Sequence, residues 1–126
     1  MKKTSRFAAV ASRIDAFRDE MIDMQVKLCA CPAVAPASGG QGEAQKAALL
    51  KKYLDENGFS DISLIKAPDM DAPDGYRPNL LAFYKGKSSA KTIWIMTHMD
   101  VVPPGELSQW HGNPFKAWIE KGRIYG

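Results

Sequence analysis

Long apolar runs are missing from this chain. None approaches the roughly 18 residues that a membrane-spanning helix needs, so no membrane partner is expected. No secretory leader is expected either. Met1-Lys2-Lys3-Thr4-Ser5-Arg6 offers a charged start, but the apolar stretch from Phe7 to Ser12 is cut short by Arg13 and Asp15. A cytoplasmic location is the expectation. Cysteine is scarce: Cys29 and Cys31 lie too close for a relaxed disulfide and are too few for a zinc knuckle, so they read as small half-buried thiols at a helix end. Clustered charge is also missing. The net charge of +3 is spread along 126 residues, which gives no footprint for nucleic acid.

Two familiar ligand loops are absent as well. Gly39-Gly40-Gln41-Gly42 precedes a helical pattern, but it lacks the Lys-Ser/Thr ending of a phosphate loop and no strand leads into it. It reads as a flexible lead into a helix. The loop Ala67 to Gly75 holds Asp69, Asp71 and Asp74 without the closing glutamate of a calcium-binding loop, and reads as solvated.

What remains is ordinary globular composition, 45% hydrophobic and 25% charged, at a length that suits one domain or a large piece of one. Ile14, Phe17, Met21, Met24 and Leu28 recur at three- and four-residue steps and predict an amphipathic helix over 12–28 with a core-facing stripe, ended by Pro32 and Pro36. A second helix is expected over 43–56, its stripe Ala47, Leu50 and Leu54 and its stop Asn57-Gly58. Strands are expected over 61–66, 79–85 and 92–97, with Arg77 and Asn79 marking only a turn. The last of these strands is apolar on both faces, as a central strand covered by helices would be. Ala117 to Gly126 around Lys121-Gly122 predicts a small hairpin. The fold class read from this order is α/β: a layered mixed sheet with flanking helices.

The chemistry concentrates at the end of the third strand, where His98 and Asp100 stand two apart and so face one side. The carboxyl ends of such strands are where α/β sheets bind ligands. A carboxylate there can hold one imidazole nitrogen while the other meets a metal. Val101-Val102-Pro103-Pro104-Gly105 then leaves the sheet, because neither proline can extend a ladder. His-x-Asp alone is a weak signal, since a histidine at a strand end is more often simply hydrogen-bonded. His111, the other histidine, reads as a surface or loop-packing residue.

The wider pattern is more specific. Thr97-His98-Met99-Asp100-Val101-Val102-Pro103, then Trp110, Pro114-Phe115 and Gly122-Arg123-Ile124-Tyr125-Gly126, resembles the M20 metallopeptidases and amidohydrolases of the acetylornithine deacetylase and succinyl-diaminopimelate desuccinylase type. A looser likeness extends back to about Ile14 and includes Glu43 opening the second helix. The resemblance implies the N-terminal portion of a zinc-peptidase-like catalytic domain over 1–126. In it His98 is a metal ligand, and Asp100 is a catalytic residue that orients and polarises it. Trp110 and Phe115 would seat their loop beside the metal centre.

The cofactor implied is zinc, two ions per complete active site, with cobalt or manganese as alternatives. The implied reaction is hydrolysis of an amide bond in a small N-acyl amino acid or peptide by metal-activated water. The bridging aspartate, the Glu-Glu pair, the remaining ligands and the inserted lid and dimerisation domain of a homodimer would lie outside these residues. The chain alone is therefore expected to be inactive. The alternative is a non-catalytic interaction module derived from the same fold.

Overall fold

In a computed structural model of the chain, residues 5–126 are described, and they fall into two compact units. One comprises residues 5–30 and Ser108–Gly126, the other Cys31–Leu107. The charged residues Met1 to Thr4 of the sequence reading lie outside the described residues.

The first unit begins with two helices, α1 (Arg6–Ala16) and α2 (Arg18–Cys29). Ser5 caps α1 by accepting a bond from the Ala8 amide at 3.1 Å, a gain of the kind worth about 1 kcal/mol. The helix expected over 12–28 thus starts earlier and is interrupted at Phe17, whose amide donates to Ile14 O at 3.0 Å in a tightened turn. The Arg13 guanidinium lies 4.3 Å from the centre of the Phe17 ring. The apolar stripe expected to be core is not buried: neither helix contains a buried residue, and Ile14 and Met21 are exposed. Periodicity specifies which face is apolar; it does not supply the surface that covers it.

The same unit ends in a hairpin. Strand β3 (Trp118–Glu120) pairs antiparallel with β4 (Arg123–Tyr125), in the register Trp118 to Tyr125. Lys121 and Gly122 both adopt positive φ, the backbone that a two-residue hairpin turn requires. The opposed rings of Trp118 and Tyr125 stack with centroids 5.1 Å apart. Here the expected hairpin and the structure agree.

The second unit contains α3 (Ala44–Glu56) packed on an antiparallel pair, β1 (Ser60–Pro68) and β2 (Tyr76–Phe83). Asn57 closes α3, its side chain donating to Tyr53 O at 2.9 Å, and Gly58 takes the left-handed conformation beyond it. Ala47 is buried, and Leu50 and Leu54 are half-buried, as their spacing predicts. The loop between the strands closes on itself, with Asp69 Oδ1 accepting from the Asp71 amide at 3.0 Å. Two residues expected to mark only a turn lie instead within β2: Arg77 opposite Ala67 and Asn79 opposite Ile65. Pro78 opposite Lys66 is tolerated because a two-stranded ladder has free edges.

The segment 92–97 departs most from expectation. Among the described residues it joins neither sheet, and Ile93, Trp94, Ile95 and Met96 are all exposed. Helices and antiparallel strands are thus present, while the strands form two separate two-stranded sheets instead of one layered sheet.

Among the described residues the buried apolar side chains, besides Pro78 of β2, are the five of Cys31, Ala33, Val34, Ala47 and Ala72, every one of them small. Three of the five come from the segment between Cys31 and the short 3-10 turn Pro36–Ser38, and in the lead into α3 that follows, Gly42 is buried, Gly40 half-buried and Gly39 and Gln41 exposed. Gly40 is required by that packing. A Cβ there would collide with the carbonyl of Val34, which explains this glycine without any phosphate. Gly40→Ala is expected to destabilise the second unit by about 1–3 kcal/mol, readable as a lowered urea midpoint. An unchanged midpoint would show that the loop yields without cost.

Candidate functional site

The end of the 92–97 segment is fixed to the buried loop by backbone. Val101 N donates to Ala33 O at 3.0 Å, and Val34 and Val101 form an isolated parallel bridge. Gly42 N donates in turn to Val34 O at 3.0 Å. The residues before Val101 and the residues before α3 are therefore held side by side.

His98 and Asp100 meet as the sequence reading expects. His98 Nδ1 lies 3.1 Å from Asp100 Oδ1 and 2.9 Å from the backbone oxygen of the same residue. Both partners are acceptors, so the tautomer this geometry favours carries its proton on Nδ1 and donates it to Asp100. Among the described residues the ring's polar contacts fall on Nδ1, which leaves Nε2 available to an outside ligand. The His98 side chain is 82% exposed.

Behind Asp100 stands a pair of charges that sequence reasoning missed. Arg77 forks onto Glu43: Nε donates to Oε2 at 3.1 Å and Nη2 donates to Oε1. The same Nη2 lies 3.6 Å from Asp100 Oδ2. Exposure rises along the row, from 4% at the Glu43 side chain through 35% at Arg77 and 45% at Asp100 to the open ring of His98. The Arg77 pKa is raised above its ordinary value, mainly by the hydrogen bond to Glu43. Burial opposes that rise, and the charges of Glu43, Asp100 and Asp69 add to it. A base raised in the folded state contributes stability at every pH below its unfolded value, so the Arg77 pairing persists at neutral and acid pH for as long as its carboxylate partners are charged. No sequence signal links position 43 to position 77. Arg77 looked like a turn residue, and Glu43 looked only like the first residue of a helix.

The donor set fits one ligand position for a metal. The imidazole is backed by a carboxylate, as metal-binding histidines commonly are. Among the described residues no group of three or more His, Cys, Asp and Glu converges to complete a site. His111 is exposed and lines an open pocket with Asn113, Lys116 and Trp118, which contains neither His98 nor Asp100. Phe115 is half-buried, its amide donating to Asn113 Oδ1 at 2.8 Å. Among the described residues no helix is long and apolar enough to cross a membrane.

Comparison with known proteins shows what the chain is similar to. The chain is 35% identical over 113 residues to an uncharacterized metallohydrolase of Methanococcus maripaludis, an alignment covering 86% of this chain and 27% of that protein. It is 36% identical over 101 residues to a succinyl-diaminopimelate desuccinylase of Polynucleobacter necessarius, covering 79% and 24% respectively. The chain is homologous to metallohydrolases of the succinyl-diaminopimelate desuccinylase type. An uncharacterized metallohydrolase of Methanocaldococcus jannaschii, 33% identical over 112 residues, belongs to the same set and covers 86% of this chain and 27% of its own length. The chain spans about a quarter of the length of the curated relatives it matches. No family model matches it. No solved structure matches it either.

Proposed function

We propose that this chain carries part of a metallohydrolase active site in which His98 is a metal ligand and Asp100 orients it. The observation that supports this best is the 3.1 Å approach of His98 Nδ1 to Asp100 Oδ1, which commits one ring nitrogen and leaves the other for a metal. The relatives' names, metallohydrolase and succinyl-diaminopimelate desuccinylase, support a hydrolytic reaction, and the reaction in this reading is cleavage of an amide bond in an N-acyl amino acid, with a small peptide as the alternative substrate. The metal in this reading is zinc, two ions to a complete site; bound there, it supplies a water of lowered pKa and a positive charge for the developing oxyanion.

The part played by these residues is narrower. Asp100 keeps the proton on His98 Nδ1 and adds negative charge behind the ring, which strengthens Nε2 as a donor. The bridging aspartate, the Glu-Glu pair and the further ligands belong in this reading to other segments of a cytoplasmic homodimer. Residues 1–126 then form the N-terminal part of its layered catalytic domain, and the lid domain lies elsewhere.

Catalytic zinc generally takes three protein ligands. The 126-residue chain is therefore expected to bind zinc weakly and to hydrolyse no N-acyl amino acid. Zinc titration followed by the imidazole NMR signals tests the reading directly. His98 should respond, His111 should not, and His98→Ala should remove the response. Zinc that perturbs both rings equally, or turnover by the chain alone, would contradict it. The second reading, a non-catalytic interaction module, draws on the exposed run Ile93 to Met96. It predicts binding to a protein partner that His98→Ala leaves unchanged.

A further inference from the structure

We infer that Arg77 and Glu43 are positioning residues for the metal ligand: Glu43 anchors Arg77, Arg77 holds Asp100, and Asp100 sets the His98 ring. The inference rests on the reading of His98 as a ligand and extends it to two residues to which neither the spacing of the His-x-Asp motif nor the relatives' names assign a role.

The row is arranged as a support should be. Its buried end is Glu43, at the start of α3 and almost without solvent. A carboxylate that deep persists only with a strong partner, and the two-pronged Arg77 is that partner. The guanidinium is planar and fixed at two points, so Nη2 has little freedom left. Its 3.6 Å approach to Asp100 Oδ2 therefore favours one carboxylate rotamer over the others. That rotamer turns the second oxygen, Oδ1, onto His98 Nδ1. One carboxylate thus spans a cation and an imidazole, with an oxygen towards each.

Backbone supports the same arrangement. Val101, next to Asp100, is bonded to Ala33, and the loop from Ala33 runs into Glu43 through the bond from Gly42 to Val34. The chain therefore brings the anchor and the ligand together twice, once through amides and once through charges. A half-exposed aspartate beside a fully exposed histidine would otherwise sample several rotamers, and the ring would revert to the mixture of tautomers it shows in water. A lysine at position 77 would retain the charge but not the two-point grip.

The test is the tautomer of His98, read from its ring nitrogens by NMR at a pH where the ring is neutral, together with zinc affinity, in the full chain. Removing Arg77 alone strands a buried carboxylate and risks unfolding, so the decisive variant is Glu43→Gln combined with Arg77→Met, which removes the buried charge together with its partner and leaves only the half-exposed Asp100 without its cation. That double variant is expected to lower the fraction of ring protonated on Nδ1 and to weaken zinc binding roughly tenfold. Glu43→Gln alone, which leaves Arg77 with a weaker anchor, is expected to weaken zinc about threefold. Arg77→Lys should fall between wild type and the double variant in both readouts. Wild-type tautomer and zinc affinity in every variant that keeps wild-type spectral dispersion would overturn the inference. The failure of the underlying reading looks different: zinc binding indifferent to His98→Ala removes the ligand itself. If zinc binding depends on His98 and Asp100 but not on Arg77 and Glu43, the positioning role alone is lost.

Discussion

Arg77→Ala is expected to lower the unfolding free energy of the Cys31–Leu107 unit by about 3 kcal/mol, and Glu43→Ala by about half as much. The asymmetry follows from burial. Without Arg77, the Glu43 carboxylate remains 4% exposed with no cation to meet it, the costly outcome of breaking a buried pair from one side. Without Glu43, Arg77 is already about one-third exposed, can turn towards water, and still has Asp100 within reach. The unit has little with which to offset the larger loss, because its buried apolar side chains are one valine, one cysteine, one proline and three alanines. Amide hydrogen exchange of α3 and of the β1–β2 pair would report the difference as faster exchange in Arg77→Ala than in Glu43→Ala. Equal exchange in the two variants would mean that Glu43 reaches water readily.

Asp100→Ala is expected to weaken zinc binding at His98 at least tenfold while changing stability by less than about 1 kcal/mol. Asp100 is 45% exposed, so little packing or desolvation depends on it. Its effect lies in its two oxygens, one towards His98 and one towards Arg77. Removing it frees Nδ1 from its side-chain acceptor, leaving only the backbone oxygen at 2.9 Å to hold the tautomer. Asp100→Asn is expected to recover part of the affinity, since the amide oxygen still accepts from Nδ1 but brings no negative charge. A titration in which wild type and Asp100→Ala bind zinc equally would show that the backbone oxygen suffices.

The elements legible in the sequence are those whose signals are local. Asn57-Gly58 stops α3 and Lys121-Gly122 turns the β3–β4 hairpin because each places a left-handed backbone where the chain must reverse. The contact between His98 and Asp100 is legible for the same reason, since the two residues stand only two positions apart. What depends on distant partners was not legible. The apolar run 92–97 reads as a central strand, yet strand pairing needs a neighbour, and among the described residues it has none. The stripe on α1 and α2 likewise names a face without its cover. Glu43 and Arg77 are 34 positions apart, and Arg77 and Asp100 are 23 apart; nothing in composition or period couples them. The loop before α3 looked flexible because it is rich in glycine, whereas Gly40 is there to let backbone pack against Val34.

The most direct measurement of the central claim is a pair of multiple-bond nitrogen-proton NMR spectra of His98, recorded without and with zinc. The ring is expected to be protonated on Nδ1 before zinc is added, with a zinc-induced shift confined to Nε2 afterwards and Nδ1 keeping its proton. Zinc bound through Nδ1, or an Nε2 signal that zinc leaves unmoved, would contradict the claim.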